Sequence, residues 1–377
     1  MTGESNIYQA ITASEAGPAP PFVSVILPIR NEAGYIVKSL NSVLAQDYPP
    51  DRFEIIVADG MSIDSTRQIV ESFQARHPNV RLINNTGQIV PTGFNAAISQ
   101  ARGEMIIRVD GHCEIARDYV RHCVEHLLND GVDCVGGPLE TMGETPVAQA
   151  IAAAMSSAFG VGNSSFRTVT DATMLTDTVA FPAYTHNIVE RAGYFDEELV
   201  RNQDDEYNYR LRKLGAKILL AADVRSRYYS RSSFHSLWRQ YFQYGYWKVR
   251  VLQKHPRQMR ARQFIPFAFV LSLLALLALA PFSSIGRWAL WLTVVAYLIT
   301  SLTASILIAR RKGWRLLPLL PLTFAILHLS YGFGFIVGLA RFWNRWGDKQ
   351  SRSNPSNERA RLHNHFDFAR RKETRRD

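Results

Sequence analysis

The chain has 377 residues, 47% of them hydrophobic, with three cysteines and a formal charge of +10, which is enough for one large or two modest domains. Cys113, Cys123 and Cys134 are odd in number and lack metal-ligand spacing, so they read as reduced, mostly buried thiols and argue against a disulfide framework. The charge sits in two blocks, six Lys/Arg and no acid over 248–262 and eleven Lys/Arg against five Asp/Glu over 341–377; both flank apolar spans, which favours anionic headgroups and disfavours nucleic acid, for which no recognition motif is present.

Residues 1–20 are polar and carry neither a basic n-region nor an apolar h-region. They are expected to be a flexible N-terminus, with the catalytic part on the cytosolic side. From residue 22 to about 135, short runs rich in Val and Ile alternate with amphipathic stretches. Phe22–Leu27 precedes a helical 33–45, Phe53–Ala58 precedes 65–76, Val80–Ile83 precedes 91–101, and Met105–Val109 precedes 117–128. This alternation predicts βαβ units and an α/β fold with a mostly parallel sheet flanked by helices.

Ligands of such sheets bind outside the carboxyl ends of the strands. The residues there read Pro28-Ile29-Arg30-Asn31-Glu32, then Asp59-Gly60-Met61-Ser62-Ile63-Asp64, then Asp110-Gly111-His112. Taken singly, each is ordinary turn or cap chemistry, and Ser62 and Asp64 are placed to cap a helix starting near Ser65. Acids at three successive strand ends point to a site. Residues at i and i+2 of an extended chain face the same way, so Asp110 and His112 can share a divalent cation beside a diphosphate.

Residues 140–245 are less regular. An apolar stretch at 147–159 is too short to span a bilayer and reads as a core or interfacial helix. The acidic cluster Asn202-Gln203-Asp204-Asp205-Glu206 opens a helical segment, where the helix dipole alone would favour it. Three uncharged spans follow at 263–286, 288–309 and 316–340, each long enough for a transmembrane helix of about 20 residues. Trp288, Trp291, Trp343 and Trp346 fit interfacial anchors. The basic loop 310–315 is expected to be cytosolic, and 281–287 external. Three crossings would place the basic tail outside, against the positive-inside tendency. Pro318, Pro321, Gly332, Gly334 and Gly338 therefore leave open a broken, re-entrant third span.

Taken together, Pro28-Ile29-Arg30-Asn31-Glu32, Val57-Ala58-Asp59-Gly60-Met61-Ser62-Ile63-Asp64, Gly93-Phe94-Asn95, Asp110-Gly111-His112 and Gln203-Asp204-Asp205-Glu206 resemble, in order, the motifs of family 2 glycosyltransferases of GT-A fold. Asp-Gly-His and the C-terminal spans are most similar to bacterial exopolysaccharide enzymes of the succinoglycan type. The resemblance implies a GT-A domain over 21–250, with a nucleotide-binding part 21–135 and an acceptor-binding part 136–250. A basic juxtamembrane segment 251–262, a membrane region 263–340 and a basic tail 341–377 would follow.

The resemblance also implies inverting transfer from a nucleotide diphosphate sugar. Pro28, Arg30 and Glu32 would line the nucleotide pocket, Asp59 would accept from uracil, and Asp64, Gly93 and Asn95 would lie near the nucleotide. Asp110 would contact ribose and metal, His112 would replace the usual second Asp as a metal ligand, and Asp204 would be the catalytic base, with Asp205 the fallback. The expected cofactor is Mn²⁺ or Mg²⁺, and imidazole suits Mn²⁺ better. Arg239 lies in a basic, aromatic strip where an Arg can stabilise leaving-group charge. Trp238-Arg239-Gln240 departs from the Gln-x-x-Arg-Trp of processive synthases, so addition of a single sugar is expected.

One-step displacement needs a single general base and no enzyme nucleophile, which the one well-placed carboxylate satisfies. The expected reaction moves one hexose, glucose, from a UDP-sugar to a polyprenyl-diphosphate-linked saccharide at the inner face of a bacterial plasma membrane. Two alternatives stay open: a transferase acting on polyprenyl phosphate itself, or an inactive membrane scaffold that binds UDP-sugar.

Overall fold

A computed structural model describes residues 19–162 and 164–347. The expected flexible N-terminus and most of the basic tail lie outside the described residues. The first four strands are β1 (Val23–Ile29), β2 (Phe53–Asp59), β3 (Val80–Asn84) and β4 (Met105–Arg108), separated by α1 (Ile36–Leu44), α2 (Thr66–Arg76) and α3 (Val90–Ile98). Their order, β3-β2-β1-β4, is parallel throughout. Every residue of β1 and β2 is buried, because helices cover both faces and an unbroken apolar run is what such a strand requires. β1 runs two residues further than the apolar run suggested, so Pro28 is within the strand.

After β4 come β5 (Cys113–Ile115), α4 (Tyr119–Asn129), β6 (Cys134–Gly137) and β7 (Leu139–Met142). The apolar stretch near 150 forms α5 (Pro146–Met155) and α6 (Ala158–Val161), followed by α7 (Ser165–Thr168), β8 (Met174–Leu175), β9 (Ala180–Thr185), α8 (His186–Ala192), α9 (Gln203–Lys213), β10 (Ile218–Leu220) and β11 (Ser226–Tyr229). β9 is antiparallel to both β4 and β6 and completes an eight-stranded sheet, β3-β2-β1-β4-β9-β6-β10-β8. A small second sheet, β5-β11-β7, stands over the carboxyl ends of the main one and brackets the Asp110-Gly111-His112 turn.

The amino ends of the strands are closed by a buried carboxylate. Glu54 accepts from Ser24 Oγ (2.8 Å) and from the Arg102 amide (2.8 Å), and pairs with Arg81 (3.0 Å) and Arg102 (3.1 Å). Those cations make its burial tolerable, and this cluster lies at the end of the sheet away from the site.

The 21-residue α10 (Phe234–Lys254), capped by Ser233, leads to α11 (Ile265–Leu279), α12 (Ser284–Lys312) and α13 (Leu320–Arg341). Among the described residues three helices, counting the turn of residues 261–264 with α11, are long and apolar enough to cross a membrane. α12 presents Ile285, Trp288, Trp291, Leu298 and Ile299 outward, as a lipid-facing surface would. The third span is one unbroken helix from Leu320 to Arg341, not a re-entrant hairpin. Its prolines sit at or before the start, where no helical N–H is lost, and its glycines are contact points. A Cβ on Gly334 would lie 2.0 Å from Phe242 O, and one on Gly245 of α10 would lie 2.0 Å from Tyr331 O, so small residues let the two backbones touch.

Candidate active site

An open cleft of about 1220 Å³ lies at the carboxyl ends of β1 and β4, the position expected for a parallel sheet. Pro28, Arg30, Glu32, Asp64, Asp110, His112, Asp204, Asp205 and Arg239 all line it. Residues up to 211 apart in sequence are therefore brought to one cavity: 64 and 110 by the loops after β2 and β4, the two strands that flank β1, and 204 and 239 by helices packed across from them.

Three of the expected nucleotide contacts stand behind the wall instead. Asp59 ends β2 fully buried, accepting from the Ser62 amide (3.2 Å) and hydroxyl (2.5 Å) and pairing with Arg67 (3.4 Å). Asn95 is consumed in bonds to the Phe195 backbone (2.8 and 2.9 Å) and Glu197 (2.9 Å), which tie α3 to the loop before α9. Gly93 packs against Asn85, whose Nδ2 a Cβ would approach to 2.6 Å. These three shape the pocket from outside. Asp64 lines the cavity, but its carboxylate already accepts from the amides of Ala33 (3.2 Å) and Thr66 (3.0 Å). Burial works against its charge, yet these bonds hold its pKa below the ordinary value.

The centre of the site is a residue to which the sequence analysis assigned no role, since it lies within the run Met105–Val109. Arg108 is the last residue of β4 and is buried. Its guanidinium bonds Asp110 Oδ1 (Nε, 3.0 Å) and makes a very short contact with Asp204 Oδ1. Burial opposes its charge, but the Asp110 and Asp204 carboxylates hold its pKa above the ordinary value. A charged residue closing an otherwise apolar strand, two positions before Asp110 and hence on its side, was the available signal.

Asp204 and Asp205 open α9 just after Asn202, which adopts a left-handed φ of 61° and donates its Nδ2 to Tyr244 O (2.8 Å); Asn tolerates that backbone better than most residues. The Asp204 side chain keeps 47% of its exposure, and the cavity it lines receives it. The surrounding protein nonetheless raises its pKa, chiefly by desolvation, with Arg108 pulling the other way and Asp110 adding to the rise. Among the described residues its Oδ2 has no partner, whereas Asp205 is paired with the buried Lys248 of α10 (2.6 Å). Of the two, Asp204 is thus the carboxylate whose Oδ2 is unpartnered among the described residues.

His112 projects from the turn between β4 and β5. Its Nδ1 bonds Glu32 Oε1 (2.9 Å) and its ring meets the edge of Tyr228 at 4.9 Å. Its Nε2 and Asp110 Oδ2 have no partner among the described residues, and neither is sealed from solvent. One carboxylate oxygen and one imidazole nitrogen fit a Mn²⁺-like cation that takes its other ligands from a diphosphate. Among the described residues no third His, Cys, Asp or Glu joins them.

The first half of the basic block at 248–262 is internal, contrary to its reading as a headgroup-facing segment, while Arg257 and Arg260 in its second half are exposed. Arg250 and Lys254 of α10 pair with Glu198 (2.9 and 2.6 Å), and His255 with Glu206 (2.9 Å). Arg260 at the membrane entry reaches Asp177 across the cleft (3.2 Å). Beyond Arg239 the cleft continues to Phe269, Tyr297, Leu327 and Tyr331 of α11, α12 and α13.

Residues 24–164 match the family model described as glycosyl transferase family 2. Over 328 residues the chain is 29% identical to the dolichyl N-acetyl-alpha-D-glucosaminyl phosphate 3-beta-D-2,3-diacetamido-2,3-dideoxy-beta-D-glucuronosyltransferase of Methanococcus voltae, covering 85% of this chain and 98% of that protein. Over 329 residues it is 28% identical to the succinoglycan biosynthesis protein ExoA of Rhizobium meliloti (strain 1021), covering 85% and 96%. The solved mannosyltransferase PcManGT from Pyrobaculum calidifontis, in complex with GDP-Man and Mn²⁺, superposes with a TM-score of 0.53 over 89% of this chain and 94% of that one, at 20% identity. That likeness is one of fold.

Proposed function

We propose that this chain, whose residues 24–164 match glycosyl transferase family 2 and which is similar to two full-length relatives, is a glycosyltransferase that moves one hexose, glucose, from a UDP-sugar to a polyprenyl-diphosphate-linked saccharide in bacterial exopolysaccharide biosynthesis, with inversion. One observation carries the reading: the cleft that holds Asp204 and Asp110 runs without interruption to side chains of the three apolar helices. A water-soluble donor and an acceptor with a hydrocarbon tail can therefore reach one base. Both full-length relatives fit such a reaction, since one is named for a dolichyl-phosphate sugar acceptor and the other for succinoglycan biosynthesis.

In this reading the donor diphosphate lies at Asp110 and His112, with Arg239 on its far side. A divalent cation held by Asp110 and His112 would neutralise charge on the leaving diphosphate. Asp204 Oδ2 accepts the proton of the acceptor hydroxyl as its oxygen bonds the anomeric carbon and the bond to the diphosphate breaks. UDP leaves with the electron pair, and the anomeric configuration inverts. Arg108 keeps Asp204 and Asp110 apart in orientation and together in charge balance, and Asp205, held by Lys248, takes no proton. The protein is placed in the bacterial inner membrane with this site on the cytosolic side.

The test offers a panel of radiolabelled UDP-sugars to lipid extracted from the source membranes, with and without Mn²⁺, using wild type and Asp204→Asn. Labelled oligosaccharide-lipid that depends on Mn²⁺ and disappears in the variant is the expected result. Labelled polyprenyl-phosphate sugar that persists in Asp204→Asn would replace this reading with transfer to phosphate, which needs no strong base. Binding of UDP with no transfer from any donor would leave only a scaffold.

A further inference from the structure

We propose that Glu32 is the positioning residue that makes His112 a cation ligand, rather than a contact to the nucleotide base. The inference rests on the reading above, in which a divalent cation accompanies the donor.

The geometry assigns Glu32 a fixed place. Its amide donates to Thr66 Oγ1 (2.7 Å) and its carbonyl accepts from the amides of Tyr35 (2.9 Å) and Ile36 (2.8 Å) at the start of α1. The Asp110–His112 turn packs directly on its stem, for a Cβ on Gly111 would lie 3.0 Å from Glu32 Cγ and 2.8 Å from Ile29 Cγ2. From there Oε1 meets His112 Nδ1 at 2.9 Å, while Tyr228 closes another side of the ring.

A carboxylate only accepts hydrogen bonds, so Nδ1 must carry the proton in this pair. The neutral ring then has its lone pair on Nε2, the nitrogen left without a protein partner and open to the cavity. A carboxylate behind an imidazole fixes the tautomer and ring orientation and makes the other nitrogen a better ligand, which is how histidine ligands are commonly supported. The pairing also accounts for imidazole standing beside Asp110 where a second carboxylate would bring a full charge. Glu32 supplies that charge from one bond further away.

The experiment uses the full-length protein in detergent with saturating UDP and follows free Mn²⁺ by its EPR signal. Wild type, Glu32→Gln, Glu32→Ala, His112→Ala and the Glu32→Ala/His112→Ala double variant are compared, each first checked for an unchanged melting temperature. UDP affinity in EDTA is measured in parallel. The expected result is Mn²⁺ affinity about 10- to 100-fold weaker in Glu32→Ala, less so in Glu32→Gln, which keeps an accepting oxygen. The double variant should be no worse than His112→Ala, and UDP affinity in EDTA should not change. A ¹⁴N modulation on bound Mn²⁺ should be present in wild type and absent in His112→Ala.

Unchanged Mn²⁺ affinity in both Glu32 variants, additive losses in the double variant, or no nitrogen signal in wild type would overturn the assignment. So would a loss of UDP affinity in EDTA, which would return Glu32 to the nucleotide. If these Mn²⁺ results hold while no sugar reaches lipid, the acceptor reading fails and the role of Glu32 stands.

Discussion

In the proposed reaction Asp204 is the base, and with Arg108 it forms the functional unit at the scale of single residues. A base must be unprotonated to act, and Asp204 has its pKa raised by desolvation; activity should therefore fall as pH drops through a midpoint above the ordinary aspartate range, and a kcat against pH profile measures it. Replacing Arg108 with Met removes the cation that opposes this rise and should move the acid limb to higher pH. An unmoved limb would mean that Arg108 acts only in packing. Asp204→Asn should lower kcat by about 10²- to 10⁴-fold, the span of general-base catalysis, with UDP affinity retained. Much of this site was readable in sequence, because Asp110, His112 and Glu32 follow apolar runs and parallel sheets place ligands there. Arg108 was not, since its second partner lies 96 positions away. Asp59 is the opposite case. It has the right position at a strand end, but Ser62 and Arg67 neutralise it locally.

Helices α10 and α13 decide how the site meets the apolar helices. They touch through Gly245 and Gly334, and in lipid such close backbone approach, rather than apolar burial, holds helices together. Gly334→Leu should separate them and lower transfer to lipid while leaving UDP binding by calorimetry intact. Equal loss of both would place the damage in folding. From sequence, Gly334 and the prolines of the third span left a broken helix open, and only the partner helix explains the glycine. The charged face of α10 was likewise unreadable, because Lys248, Arg250 and Lys254 find their acids on loops and helices distant in sequence. Burial works against Glu198, but Arg250 and Lys254 hold its pKa down to about 2. A depressed carboxylate contributes stability above its unfolded value, and that contribution is lost as pH falls through the folded one. The link between α10 and residues 196–198 should thus weaken only as pH drops from about 4.5 toward 2, visible as the onset of acid-induced proteolysis. Glu198→Ala should destabilise by about 1–3 kcal/mol, the cost of leaving a buried donor without its partner.

Across the whole molecule, the parallel half followed from alternating patterns, and β9 did not. An antiparallel strand inserted between β4 and β6 has no local signature beyond its six residues, and its position is set by strands 75 and 46 residues upstream. Three spans were legible by length alone. Their continuity with the catalytic cleft was not, because it depends on packing between segments with no shared pattern. For the proposed lipid-linked acceptor, that continuity changes what concentration means. The donor is counted per volume of water, but a tailed acceptor that enters beside Phe269 and Tyr331 is counted per area of amphiphile. Adding detergent at fixed totals of enzyme, donor and acceptor should slow transfer in proportion to the falling mole fraction of acceptor in the micelle, while hydrolysis of the donor by water stays constant. With the proposed acceptor the chain would be an interfacial catalyst obeying surface-dilution kinetics, and its product, still tailed, would leave sideways into the film without ever being dissolved.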